Sequence, residues 1–210
     1  HQHLGFKDDG IFFSVVVCTI HTTLYITMCG FFALCDANKW LQRHKLPRTQ
    51  RMAPSESKMR GTLLEAAFHQ LVVAPFAMYG LYTIVGGLPE VHTPLGTSFF
   101  EVWKHFALAE IMYETGFYMF HRTLHESSFL YKLIHKKHHS YIGSVSIASE
   151  HTNVFEAVLL PTVGYCLYNR VHIVVLLTYV AWRYFETYEI HSGYCFKDTF
   201  LSKIGLLHAH

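Results

Sequence analysis

The chain has 210 residues, room for one ordinary domain or a small membrane unit. It is 51% apolar and only 15% charged, which excludes a disordered chain, and a net charge of +2 is too small to suggest a nucleic-acid binder. Seventeen histidines are more than any structural role of imidazole needs. The five cysteines, Cys18, Cys29, Cys35, Cys166 and Cys195, form no C-x-x-C pair and no zinc-finger spacing. They read as small hydrophobes in a reducing or membrane-buried setting. The sequence opens on His1 and closes on His210, which reads as a fragment cut at both ends.

The first element is Ile11 to Leu34, an apolar run with no formal charge and His21 as its one ionisable group. A bilayer core takes about 20 apolar helical residues, so this is a membrane span. It lacks the charged start and the small-residue cleavage site of a signal peptide. Seven basic residues follow between Asp36 and Gly61: Lys39, Arg43, Lys45, Arg48, Arg51, Lys58 and Arg60. Thr62 to Val85 is a second span, with Pro75 as a predicted kink. The loop from Gly86 to Ser98 has no basic residue, so the positive-inside rule puts the first loop in the cytosol and this one across the membrane. Phe99 to Phe120 is long enough for a third span but carries Glu101, Lys104, His105, Glu110 and Glu114, so one side must face protein or water. Val154 to Leu167 and Ile173 to Phe185 are shorter and read as a hairpin that enters and leaves one face. The fold expected is all-α, integral membrane helices under a cytosolic histidine-rich helical cap. It divides into membrane spans with a basic loop (1–98) and a catalytic region (99–210).

The chemistry sits in that cap. His121 and His125 are spaced i, i+4, and His135, His138 and His139 add i, i+3 and i+4. Glu126-Ser127-Ser128 between them supplies a turn and an N-cap, so two short helices can turn their histidine faces together. Five converging imidazoles make a metal site suited to iron, zinc, copper or nickel, and so many crowded ligands suggest two metals. The H-E-x-x-H zincin motif fails because Phe129 stands where its second histidine should be. No nucleophile elbow, P-loop or dinucleotide fingerprint is present.

These motifs resemble the first two histidine boxes of the fatty acid hydroxylase and sterol desaturase superfamily. Tyr131 to His139 and Glu186 to Tyr194 are most similar to its 4-methylsterol oxidase branch. The resemblance implies a multi-pass protein of the endoplasmic reticulum membrane whose cytosolic cap holds two iron ions. It implies oxidation of a sterol or fatty acyl lipid with dioxygen and electrons from NADH through cytochrome b5 and its reductase. Carried over, His121, His125, His135, His138, His139 and His191 are metal ligands. A third box, H-x-x-H-H, is expected about where the chain stops at His208-Ala-His210. Asn153-Val-Phe-Glu156 departs from the family's His-Pro-x-Glu, with His151 nearby as an open alternative.

At 100° per residue, Glu110, Glu114, His121 and His125 share a stripe about 60° wide. Glu114 is the candidate to hold the second N–H of a ligating histidine on another helix, a pair with Lys104 or Arg183 being its alternative. Two competing readings remain: a catalytically inactive relative that binds lipid or a partner, and a histidine-rich metal transporter. A transporter predicts ligands at mid-membrane depth.

Overall fold

The computed structural model describes residues 8–49, 53–87, 99–156 and 159–196, with backbone only at 159–162. The loop 88–98 and both His208 and His210 lie outside the described residues. Helix α1 runs Asp9–Ala37, capped by the Asp8 carboxylate, which accepts from the Gly10 and Ile11 amides. Helix α2 (Glu56–Phe68) passes through one π-turn (His69–Val73) into α3 (Ala74–Val85). The predicted kink at Pro75 takes this form. Proline's ring clashes with the carbonyl four residues back, and the π-turn, in which the Ala74 amide bonds His69 O, shifts the ladder by one residue. Helix α4 covers Phe99–Glu126, the three-residue α5 Ser128–Leu130, α6 Leu159–Tyr168 and α7 Ile173–Ile190. The chain is all-α, and among the described residues β pairing is limited to the isolated bridge between Lys45 and Tyr194.

Two helical stretches, Asp9–Ala37 and Glu56–Val85, are long and apolar enough to cross a membrane. Packing explains how they sit. Along α1 the buried positions Phe13, Val17, His21, Tyr25, Phe32 and Cys35 recur at helical spacing, while Ile11, Val15, Ile26, Phe31 and Leu34 face outward. The main core lies where α1, α3, α4, α6 and α7 meet, around Phe13, Met78, Ala109, Val163, Leu176 and Tyr179. Outside it, Leu64, Leu71, Phe76, Ile84, Phe99, Trp103 and Ile111 are all more than half exposed. So large an apolar exterior fits lipid as the solvent.

The first arm of the predicted hairpin, Val154 to Leu167, differs from the structure at its start. Val154–Glu156 is a 3-10 turn on the histidine cap, and α6 is described from Leu159 onward. The turn is pinned to the cap because Glu156 bonds His135. The remaining hairpin stands, with Arg170 at its tip reaching Gly86 O at 3.4 Å.

At the opposite end of the bundle, the basic loop straps onto the end of α7. Leu46 N–H donates to Gly193 O at 2.9 Å and Cys195 N–H to His44 O at 2.7 Å. Asp36 collects the Tyr194 hydroxyl (2.6 Å) and the Lys45 ammonium (2.5 Å). Arg48 and Lys58 bond the carbonyls of Ser144 and Ser140. Gly193 is required here, since its φ is +80° and an added Cβ would stand 2.6 Å from Ser144 O. Gly193→Ala is expected to cost at least about 1–2 kcal/mol from backbone handedness alone. Limited proteolysis between residues 38 and 55 should then become faster.

Candidate metal centre

The end of α4 carries the first two histidines. Leu124, 1% exposed, anchors the last turn, and His121 and His125 stand one turn apart with their Nε2 atoms 3.1 Å from each other. Ser127 then stops the helix, its hydroxyl accepting from Leu130 N–H at 3.3 Å. The chain re-enters through α5 and a second π-turn, Tyr131–His135, closed by Lys136 N–H to Tyr131 O at 2.7 Å. The two short helices of the sequence expectation are thus one 28-residue helix and a compact turn. The reversal sets His135 and His139 opposite α4.

Four imidazoles converge. His125 Nε2 lies 3.2 Å from both His135 Nε2 and His139 Nε2, and His135 and His139 approach to 2.8 Å. One nitrogen from each of His121, His125, His135 and His139 falls within 4.8 Å of all the others. His138, on the same 3-10 turn as His139, faces another way, and its Nε2 is 3.4 Å from that of His191. The His191 Nδ1–H donates to Thr187 O at 2.7 Å, so its Nε2 offers a lone pair toward His138. The six expected ligands therefore form a group of four and an adjoining pair, the His135 and His138 rings being 5.7 Å apart. A cavity of about 250 Å³ adjoins the pair, bounded by His138, His139, His191, Tyr141, Ala148 and Leu46.

This arrangement fits a cation. A neutral imidazole has one N–H and one lone pair, and His135 gives its Nδ1–H to Glu156 Oε2 at 2.6 Å. Its Nε2 is then bare and faces two further Nε2 atoms at hydrogen-bond distance. One positive ion among them would satisfy every lone pair at once. Burial, and then the neighbouring imidazoles, push His121 down to about 4 and His138 to about 3. Burial lowers His139 as well. Histidines so held are neutral at pH 7 and can ligate.

The same shifts make an acid prediction. The folded cap resists protons that the unfolded chain takes up below about pH 6.5. Stability of the metal-free cap should be full above that pH and should fall as pH drops toward 4. Hydrogen exchange across residues 121–140 at stepped pH measures this.

The other candidates lie elsewhere. Glu114 is half exposed and stands 3.2 Å from the Arg183 guanidinium, and among the described residues no histidine bonds it. Arg183, 5% exposed, also binds Glu110 at 2.7 Å and Glu186 at 2.6 Å, and lies 3.6 Å over the Tyr113 ring. His151 bonds Glu65 at 3.0 Å on α2, beside Thr62. His21, the one histidine of its span, donates its Nε2–H to Glu150 at 2.8 Å and stacks on Tyr184 at 4.0 Å. Tyr188 adds its hydroxyl to the same carboxylate at 3.0 Å. Sequence reasoning did not single out Glu156, Glu65 or Glu150. A histidine alone in an uncharged span was the available signal for a buried carboxylate partner.

The Fatty acid hydroxylase family model matches residues 106–210, half of the chain, and takes in all six histidines and Glu156. The chain belongs to the fatty acid hydroxylase family. Among curated relatives it is 28% identical to a C-4 methylsterol oxidase of Candida albicans, over 84% of this chain and 58% of that protein. It is 28% identical to the fatty acid hydroxylase ahd1 of Mycosarcoma maydis, over 84% of this chain and 48% of that one. It is also 28% identical to sphinganine C4-monooxygenase 1 of Arabidopsis thaliana, over 71% of this chain and 54% of that one. The chain spans about half the length of the curated relatives it matches. No solved structure matches it. Membership supports lipid oxidation as the family's chemistry and agrees with a histidine cluster set at the ends of apolar helices.

Proposed function

We propose that the chain is the membrane and metal-holding part of a non-haem di-iron lipid monooxygenase, acting on a 4-methylsterol-like or related lipid. The observation that carries this reading is the convergence of His121, His125, His135 and His139, with His138 and His191 alongside. The group of four would hold one iron and the pair would contribute to a second, with the remaining ligands drawn from elsewhere in the protein. Two irons would supply the oxidising power that dioxygen needs to attack an unactivated C–H bond, with electrons from NADH through cytochrome b5 and its reductase. The chain's own residues hold and orient. α4 and α7 set the imidazoles at the end of an apolar bundle, so a lipid can present a carbon to the metals from the bilayer. The strap of residues 44–46 on 193–195 closes that end toward water.

The basic loop and the histidine face share one end of the bundle, which supports a cytosolic site on the endoplasmic reticulum membrane. Residues 99–210 are read as the catalytic region and 1–98 as the spans that carry it. Glu114 enters through Arg183, as part of the ion cluster that fixes α4 against α7. The histidines lie in the last two turns of α4, the cap and the residue after α7, not among mid-helix positions, which disfavours metal transport.

The full-length protein, purified in detergent, should contain about two irons. Membranes bearing it should convert 4-methylsterols when given NADH and oxygen, in cells lacking their own oxidase. Zinc in one-to-one ratio after growth in iron-replete medium would overturn the metal assignment. Oxidation of fatty acyl chains or sphinganine, with 4-methylsterols untouched, would change the substrate alone. Two irons with no turnover of any of these lipids would favour an inactive relative.

A further inference from the structure

Val154–Glu156 is a single 3-10 turn, and its construction aims one side chain inward. The Asn153 carboxamide oxygen accepts from Phe155 N–H at 3.2 Å, Asn153 O accepts from Glu156 N–H at 2.9 Å, and Asn153 N–H donates to Glu156 Oε1 at 3.2 Å. Phe155 is turned outward, 73% exposed. The other carboxylate oxygen, Oε2, meets His135 Nδ1 at 2.6 Å, with the two side chains 9% and 1% exposed. Among the described residues, no lysine or arginine forms an ion pair with Glu156. A carboxylate this buried needs positive charge nearby. Lys137 is close enough to act on it through space, but its ammonium is engaged by Thr152 O and Glu65. The group bonded directly to Oε2 is the His135 ring, whose Nε2 faces His125 and His139.

We propose that Glu156 is a positioning residue for the metal face: by taking the Nδ1–H of His135 it fixes the tautomer that presents a bare Nε2 to the ion. This rests on the metal reading above and adds a named residue to it. Among the described residues, His135 is the member of the group of four with a carboxylate on its ring. It is also the most buried of the four, and so the one with least water to orient it. The carboxylate raises the ring's basicity and locks its rotation, the two ways an outer partner strengthens a ligand. Asn153, where the family resemblance has histidine, keeps a part in this site by building the turn that aims Glu156.

The test compares Glu156→Gln and Glu156→Ala with the wild type and with Glu126→Gln, which changes an exposed carboxylate paired with Arg122. All are full-length proteins in detergent, stripped of metal and titrated with cobalt(II) against a chelator, and followed by the cobalt absorption spectrum. Gel filtration and circular dichroism monitor the fold. Gln keeps the shape, but it has one oxygen where Glu156 uses two. Held on Asn153 N–H, it turns its NH2 to His135 Nδ1 and favours the tautomer with Nε2 protonated. A merely structural carboxylate predicts unchanged affinity and spectrum in Glu156→Gln. Positioning predicts a roughly 10-fold loss with an altered spectrum for Gln, and up to about 100-fold for Ala. Glu126→Gln should match wild type. Wild-type affinity in Glu156→Gln would overturn this proposal alone. A wild type that binds no cobalt would overturn the metal reading and this proposal with it. Should Glu156→Ala fail to fold, the Gln variant decides.

Discussion

His138→Ala is expected to abolish lipid oxidation while the protein still inserts, purifies and keeps about half of its metal. The reason is geometric. His138 is not part of the group of four; it pairs with His191 at 3.4 Å, and its removal leaves His121, His125, His135 and His139 in place. One ion should therefore stay and the other should leave, so activity falls by far more than the 10–100-fold typical of losing an outer partner. His135→Ala should have the converse effect and empty the group of four. The matched control is His172→Ala at the far end of the bundle. His172 caps α7 by accepting from Val174 N–H at 3.2 Å, so its loss should cost about 1 kcal/mol of stability and leave metal content unchanged. Iron analysis alongside turnover separates these cases. Full metal in His138→Ala would refute the two-group arrangement, and wild-type turnover would refute the metal assignment altogether.

Arg183→Leu should be the most destabilising single change outside the histidine face. Its guanidinium lies between Glu110 on α4 and Glu186 on α7, against the Tyr113 ring, and nearly all of it is buried. Removing the cation leaves three carboxylates without their partner, Glu186 almost fully buried and Glu110 partly so, a loss of about 3–5 kcal/mol. For a chain of this size that lowers the thermal midpoint in detergent by roughly 6–20 °C. Because α4 carries His121 and α7 leads into His191, the slip should also weaken metal binding. Adding Glu110→Gln and Glu186→Gln to Arg183→Leu should restore most of the midpoint, since the one carboxylate then left without its cation, Glu114, is half exposed and solvated. A triple variant as unstable as the single one would show that packing on Tyr113, and not charge, is what Arg183 supplies.

Much of this molecule is written along its chain. Composition and hydropathy alone mark Ile11–Leu34 and Thr62–Val85 as apolar helices, because spanning length and scarcity of charge are local properties; the structure extends them to Asp9–Ala37 and Glu56–Val85. The i, i+4 spacing places His121 with His125, and His135 with His139, by helical or near-helical periodicity, which needs no partner element. The turn at Ser127 that lets those two pairs meet was also legible, but how His138 differs from His139 depended on a π-turn and a 3-10 turn that no periodicity encodes. Adjacent residues on a tight turn point in different directions, so His138 joined His191, 53 positions away. Glu156 could not be assigned a role from its spacing, and its turn looked like the start of an apolar span until His135 was seen beside it. Glu114 shares a helical stripe with His121, yet its carboxylate reaches Arg183 on α7. Local pattern decides which residues share a helix face. Charge pairing across helices depends on which element packs opposite, and the tertiary structure alone decided that.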